Sequence, residues 1–137
     1  MISFTVYGTP HPQGSSRAFI PKGWTRAVIT SDNPKLKSWR QELADAALRA
    51  FKKGPIERDV AVGVTAIFYF SKPKSAKKST HSKTTKPDVD KLLRAALDGM
   101  TGIAYHDDAQ VITASVGKYF SLPERAEIKV RVIEPES

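Results

Sequence analysis

The chain contains no cysteine, which excludes disulfide bridges and thiolate metal sites. No stretch of about 18 apolar residues predicts a membrane-spanning helix, and the first residues lack the pattern of a secretory signal peptide. The 137 residues, 40% of them hydrophobic, show no internal repeat and suit one domain, residues 1–137, with one ordinary core. We therefore expect a single-domain cytoplasmic protein.

Two common kinds of catalytic motif are also missing. The histidines, His11, His81 and His106, do not have the spacing of zinc ligands. No G-x-x-x-x-G-K-[ST] motif is present, so we expect no nucleotide cofactor. What remains for chemistry is oxygen ligands and basic groups.

Acidic residues are scarce relative to basic ones, with 14 against 22 and a formal net charge of +8. Much of the excess lies in residues 71–86, which carry lysines and no acid: Lys72, Lys74, Lys77, Lys78, Lys83 and Lys86. Charge this concentrated indicates a polyanion partner. A solvated loop, an acidic protein partner and a membrane surface are alternatives, although no basic amphipathic helix supports a membrane.

Hydrophobic periodicity predicts an α+β domain. Alternating apolar residues predict strands at residues 1–7, 59–70, 110–120 and 126–133, with a further short strand at 27–30. Helical spacing predicts one helix from Pro34 to Ala50 and a second after Pro87. The order is β-α-β-α-β-β with a mixed sheet. Residues 59–70 are apolar on both faces and predict a central strand, and we expect the last two strands to pair as a hairpin.

The most informative stretch is residues 86–98, where a basic residue and a proline lead into an Asp-x-Asp motif. Asp88 precedes the helix and Asp90 lies in its first turn, so both carboxylates can converge near the positive end of the helix dipole. The ordinary alternatives are that Asp88 only caps the helix and that Asp90 forms a surface ion pair with Arg94. Gly99 and Gly102 close the helical pattern.

A second acidic pair, Asp107-Asp108, follows this helix, and alone it is also typical of a solvated turn. Phosphodiester hydrolysis requires an activated water and stabilisation of charge on the phosphate, and Mg²⁺ supplies both. This ion prefers a few carboxylate oxygens completed by water and substrate phosphate. Asp88, Asp90 and the second pair therefore predict a Mg²⁺ site, with Mn²⁺ as a substitute ion. His106 beside the pair is either a proton-transfer group or an ordinary surface histidine.

Three blocks of this sequence together resemble the RusA family of Holliday junction resolvases. They are residues 12–17 (PQGSSR), 86–98 (KPDVDKLLRAALD) and 105–111 (YHDDAQV), in matching order and spacing across nearly the whole chain. The resemblance implies a RusA-like fold and a homodimeric, magnesium-dependent endonuclease that cuts four-way DNA junctions. It also implies a bacterial or phage-encoded protein.

The resemblance assigns roles to particular residues. The metal-binding carboxylates of the family carry over to Asp88, Asp90 and Asp108. Arg94 stands where the family has a catalytic lysine, and Lys91 stands where the family often has asparagine. Because an arginine cannot give up its proton near neutral pH, Arg94 keeps a charge-stabilising role but not a proton-transfer role.

The resemblance implies DNA contacts from the first loop, which the prolines and glycines of residues 8–26 predict, and from the stretch that precedes the acidic helix. The lysine run is expected to add further contacts. The main-chain N–H groups and hydroxyls of the first loop suit a phosphate, although turn chemistry alone also explains them. The predicted DNA-binding residues are Gly14, Ser15, Ser16, Arg17, Lys72, Lys74, Lys77, Lys78, Lys83, Thr84, Lys86 and Lys91.

Two further functions remain open alternatives to junction resolution. One is a branched-DNA-binding protein without catalysis, in which Lys91 and Arg94 neutralise a degenerate acidic site. The other is a nuclease for other branched or flapped DNA. A response to Mg²⁺ separates a nuclease from a pure binder, whose affinity only falls as the salt concentration rises.

Overall fold

The computed structural model describes residues 1–14, 17–19, 23, 28–30 and 34–135. Its strands are β1 (Ile2–Tyr7), β2 (Arg17–Phe19), β3 (Val28–Thr30), β4 (Val62–Phe70), β5 (Val111–Phe120) and β6 (Arg125–Val132). Its helices are α1 (Pro34–Ala50) and α2 (Val89–Met100), and a short 3₁₀ turn spans Asp108–Gln110. The predicted α+β class, with two helices and a mixed sheet, is confirmed.

The main sheet has the strand order β1-β6-β4-β5, so β4 is central as its apolar sequence predicts. The predicted hairpin between the last two strands is wrong. Among the described strands β5 pairs with β4, in parallel, because α2 returns the chain to the start of the sheet before β5 begins. β6 then lies on the other side of β4, antiparallel to both β4 and β1.

Both helices pack on one face of the sheet and bury the core. α1 contributes Trp39, which is buried in the core. The buried side chains of α2 are those of its apolar stripe: Leu92, Ala95, Ala96 and Met100. They pack on the buried side chains of one face of β4, which are Val62, Val64, Ala66, Phe68 and Phe70. The polar side of α2 is thereby turned away from the sheet.

Local predictions around the helices and the first loop have mixed outcomes. Pro34 is the first residue of α1, as predicted, and residues 31–33 before it lie outside the described residues. Gly99 does not end α2 but lies inside it, where a Cβ atom would come within 2.9 Å of Leu43 Cδ2 of α1. Residues 17–19, predicted as loop, form β2 and pair with β3 in a separate ribbon. None of the helices in the described ranges has the length and apolarity needed to cross a membrane.

Candidate active site

Asp88 occupies the N-cap position of α2 but does not cap it with its side chain. Its backbone is extended (φ −73°, ψ 143°), and its main-chain carbonyl accepts a hydrogen bond of 3.1 Å from the N–H of Leu92. The carboxylate stays exposed and has Lys91 as an ion-pair partner, at 3.8 Å. Both groups are exposed, so the pair contributes little to stability. The carboxylate is therefore available to a ligand.

Asp90, in the first turn of α2, is also exposed. The alternative of a surface ion pair with Arg94 is not observed: among the described residues, no ion pair within 4 Å involves either group. Both acids of the Asp-x-Asp motif thus present their carboxylates to solvent at the positive end of α2.

The two members of the second acidic pair, Asp107 and Asp108, have different structural roles. The Asp107 carboxylate accepts a hydrogen bond of 2.9 Å from the N–H of Ala109, while Gln110 Oε1 accepts from the N–H groups of His106 (2.8 Å) and Asp107 (3.1 Å). This reciprocal arrangement is a capping box. Asp107 therefore holds the 3₁₀ turn, and Asp108 is left exposed for other contacts.

Contacts beneath this turn fix its position. The Gln110 side-chain amide donates to the carbonyls of Glu57 (2.9 Å) and Val60 (3.1 Å). Tyr105 is fully buried, and its hydroxyl donates to the carbonyl of Leu97 in α2 at 2.7 Å. Sequence reasoning missed both anchors, because nothing in the sequence pattern shows which distant carbonyls they reach.

Asp108 faces the carboxyl-terminal half of α2. Its pKa lies above its ordinary value, chiefly because of partial burial, then because of the hydrogen bond and charge of Asp107 and the charge of Asp98, while Arg94 opposes the shift. Asp98 is an acid that the sequence reasoning did not single out, although it follows Arg94 by one helical turn. Along the helix axis it lies about 12 Å from Asp90, from the rise per residue of an α-helix.

Within the described residues, no three His, Asp or Glu side chains are grouped closely enough to hold a metal ion. The three-aspartate site at Asp88, Asp90 and Asp108 thus stays a prediction. The chemistry of the donors fits the ion, because all three are exposed carboxylates. Mg²⁺ is usually held by only one or two carboxylates, with waters and substrate phosphates completing its octahedron.

The first loop contacts the start of the acidic helix. The main-chain N–H of Gln13 donates a hydrogen bond of 2.9 Å to the carbonyl of Lys91, and Arg40 of α1 donates to Gln13 Oε1 at 3.4 Å. Gly14, which follows, is exposed. The predicted DNA contacts Ser15, Ser16 and the side chain of Arg17 lie outside the described residues.

The lysine-rich segment is attached to the sheet. The N–H of Phe120 donates to the carbonyl of His81 at 2.7 Å, and the N–H of Lys83 donates to the carbonyl of Lys118 at 3.4 Å. The Lys83 ammonium lies 5.2 Å and 5.5 Å from the ring centroids of Phe70 and Phe120, within cation–π range. The segment is thus a folded surface beside β5.

Its lysines differ in how free their amines are. Lys72 donates to the carbonyls of Lys77 (3.2 Å) and Lys78 (2.8 Å) and thereby closes the loop on itself. The exposed members of the predicted DNA-binding set in this segment are Lys74, Lys77, Lys78, Thr84 and Lys86. Among the described residues, the exposed lysine amines have no ion-pair partner, so they are available to phosphates.

One basic residue close to the acidic helix was missed. Lys118 of β5 pairs in register with buried Phe68 of β4, so it lies on the helix-covered face of the sheet. Its amine donates to the carbonyls of Thr85 (2.5 Å) and Pro87 (2.8 Å), immediately before Asp88. The sequence did contain a signal for this residue, because Lys118 occupies a core-facing position in the predicted strand at residues 110–120.

The fold and site define a small basic protein in which exposed carboxylates, the end of the first loop and a lysine-rich surface lie around one helix. Over residues 8–131 the chain matches the family described as endodeoxyribonuclease RusA. It is also 34% identical to the uncharacterized protein YqaN of Bacillus subtilis (strain 168), over 146 aligned positions that cover 96% of each chain. The chain therefore belongs to the RusA family of endodeoxyribonucleases, a family of nucleases that act on DNA.

Proposed function

We propose that this protein is a magnesium-dependent endonuclease that resolves four-way DNA junctions by paired phosphodiester cleavage, in DNA recombination and repair. The observation that carries the proposal is the exposure of both carboxylates of the Asp-x-Asp motif. The chain matches the RusA family over residues 8–131, and both Asp88 and Asp90 have exposed carboxylates. The side chain of Asp88 makes no capping hydrogen bond to the helix.

Groups that surround this motif bind the phosphates of the DNA. The exposed lysines of residues 74–86 supply sequence-independent contacts to the DNA backbone. Gly14, beside the start of α2, offers a main-chain N–H group, and the dipole of α2 favours an anion at the same end. DNA bound across these groups has a phosphate beside Asp88 and Asp90.

The residues proposed to hold Mg²⁺, or Mn²⁺ in its place, are Asp88, Asp90 and Asp108. When bound, the ion lowers the pKa of a coordinated water and stabilises charge on the phosphate. Arg94 lies near enough to Asp108 to lower its pKa, and its permanent positive charge suits stabilisation of a developing phosphate charge. Arg94 does not act as a proton-transfer group.

A homodimer is part of this proposal. Resolving a junction requires cuts in two strands related by symmetry, and one chain carries only one Asp-x-Asp motif. A closed two-fold dimer supplies two such sites through one self-complementary interface.

A second candidate, a branched-DNA-binding protein without catalysis, is favoured by one contact. The Lys91 amine lies 3.8 Å from the Asp88 carboxylate and competes there with a cation. The pair is half exposed, so we expect a bound metal ion and phosphate to displace it.

The test is cleavage of a synthetic four-way junction beside a matched linear duplex and a flapped duplex, each with and without Mg²⁺. Paired cuts in the junction that need Mg²⁺ support the proposal. Binding without cleavage at any Mg²⁺ concentration favours the second candidate. Faster cleavage of the flapped duplex than of the junction would assign a different branched substrate.

A further inference from the structure

Lys118 holds an unusual position for a lysine in this sheet. Its side chain is half-buried on the face of β5 that the helices cover, in register with Phe68. Among the described residues, no carboxylate lies within ion-pair distance of its amine. Its polar partners are two main-chain carbonyls instead, those of Thr85 at 2.5 Å and Pro87 at 2.8 Å.

These two carbonyls belong to the non-helical segment that ends at Asp88, the first residue of the Asp-x-Asp motif. An ammonium group donates several hydrogen bonds at once, and a hydrogen bond from a charged donor is about twice as strong as a neutral one. One amine thus joins β5 to two points of the segment and fixes the path along which the chain enters α2. The amine of nearby Lys83 donates its hydrogen bond to the Thr85 hydroxyl, at 3.0 Å, and so does not hold these main-chain carbonyls.

We propose that Lys118 is a positioning residue, whose amine clamps the Thr85 and Pro87 carbonyls and thereby sets the orientation of the Asp88 carboxylate. The inference rests on the proposed function, because it gives this orientation a use in holding the divalent ion with Asp90. Lys118 itself touches neither the ion nor the DNA. Outer partners that orient a metal ligand typically change metal affinity by about 10-fold to 100-fold when they are removed.

The first experiment compares Lys118→Met with Lys129→Met. Methionine keeps an unbranched apolar stem and removes the donors. Lys129 is exposed on β6 and lies on the opposite face of the sheet, so its substitution removes the same charge without touching the clamp. Mn²⁺ binding to the DNA-free protein is measured by electron paramagnetic resonance, and junction binding without metal by gel shift.

We expect Lys118→Met to weaken Mn²⁺ binding about tenfold, while junction binding without metal stays within about twofold. Lys129→Met should bind Mn²⁺ like the wild type. Lys118→Arg keeps a charged donor and should recover part of the loss. Wild-type Mn²⁺ affinity in a folded Lys118→Met protein would overturn the proposal. If that variant does not fold, Lys118→Gln, whose shorter neutral head cannot span both carbonyls, takes its place with the same expected outcomes.

Hydrogen exchange separates failure of the clamp from failure of the proposed function. Removing the amine should speed amide exchange in residues 84–92 and leave β6 unchanged, whether or not the protein cuts DNA. Unchanged exchange in residues 84–92 would overturn the clamp even in an active nuclease. A wild-type protein that neither binds Mn²⁺ nor cuts the junction would overturn the proposed function, and exchange would still decide whether Lys118 holds the segment.

Discussion

The main-chain N–H of Gln13 donates a hydrogen bond of 2.9 Å to the carbonyl of Lys91. This bond joins the first loop to the first turn of α2, two segments far apart in the sequence. It also holds Gln13 and the exposed Gly14 beside the Asp-x-Asp motif, where the proposed function requires an aligned substrate phosphate.

The first prediction concerns the three aspartates. Asp88→Asn, Asp90→Asn and Asp108→Asn should each abolish junction cleavage, because the amide keeps the size of the side chain but loses the charge that holds Mg²⁺. Junction binding should stay largely intact. Cleavage of a labelled four-way junction and gel-shift binding measure the two properties separately, and a variant that cuts at nearly the wild-type rate would show that its residue is not a metal ligand.

Asp107→Asn is the matched control for this series. Asp107 accepts a hydrogen bond from the N–H of Ala109 as part of a capping box, and asparagine caps about as well as aspartate. We therefore expect this variant to keep most of its cleavage activity. A loss as large as that of Asp108→Asn would assign Asp107 to the metal site as well.

The second prediction concerns the exposed lysines. Lys77→Ser with Lys78→Ser should weaken junction binding and reduce the salt dependence of affinity, by up to about 0.9 in slope for each lost phosphate contact. Lys52→Ser with Lys53→Ser is the matched control, an exposed adjacent pair after α1. Affinities measured over a range of salt concentrations test this. Equal slopes in the two double variants would place the DNA footprint elsewhere.

Much of the fold could be predicted from periodicity alone. The alternation in residues 59–70 and the helical spacing after Pro34 depend on local sequence, and both were confirmed as β4 and α1. The pairing of β5 and β6 could not be read in the same way, because adjacent strands with a short connection usually form a hairpin. Here the central place of β4 in the sheet separates them.

The candidate site could be proposed from its sequence motifs, whereas the contacts that support it could not be predicted. Asp88, Asp90 and Asp108 stand in recognisable blocks, whereas Lys118 and Tyr105 act through main-chain carbonyls of other segments. Any carbonyl in the chain can accept such a bond, so only the folded arrangement identifies the partner. The freedom of the Asp88 carboxylate from capping likewise depends on backbone geometry that the sequence does not reveal.

The third prediction concerns the pH dependence of stability. Glu124 accepts hydrogen bonds from the Thr9 hydroxyl (2.6 Å) and the Ser71 N–H (3.0 Å), and the first of these is the main reason that its pKa lies below the ordinary 4.5. A lowered pKa means that this stabilisation is present above pH 4.5 and is lost as the pH falls through the pKa of the folded state.

Glu124→Gln should therefore lower the free energy of unfolding at neutral pH by less than about 1 kcal/mol, since solvent screens the contacts. Urea unfolding of both proteins from pH 7 to pH 3 measures the difference. It should shrink in the acidic part of this range. A difference that grows towards low pH would contradict the assignment.

The fourth prediction concerns the buried anchor of the acidic turn. Tyr105→Phe removes the hydroxyl that donates to the Leu97 carbonyl and should destabilise the fold by about 1 kcal/mol. The loss is limited because the Thr101 hydroxyl also donates to this carbonyl, at 2.9 Å. Thermal unfolding checks the magnitude. Thr101→Val is a matched removal of the second donor, and the double variant should cost more than the sum of the two, because the carbonyl then loses both side-chain donors.

The last prediction is that the active form is a two-fold homodimer. The predicted hairpin of the last two strands cannot form the interface, because β6 is paired on both edges inside the sheet. The remaining candidate is the outer side of β4, opposite the face that the two described helices cover, where Ile67 is only partly covered. Light scattering should give twice the chain mass, and Ile67→Lys should produce monomers that no longer make paired cuts, since the substitution places two like charges at a symmetric contact. Leu48→Lys, at an exposed position of α1, is the matched control and should leave the dimer intact. A wild-type monomer that still makes both cuts in one binding event would contradict both the dimer and the symmetric mechanism.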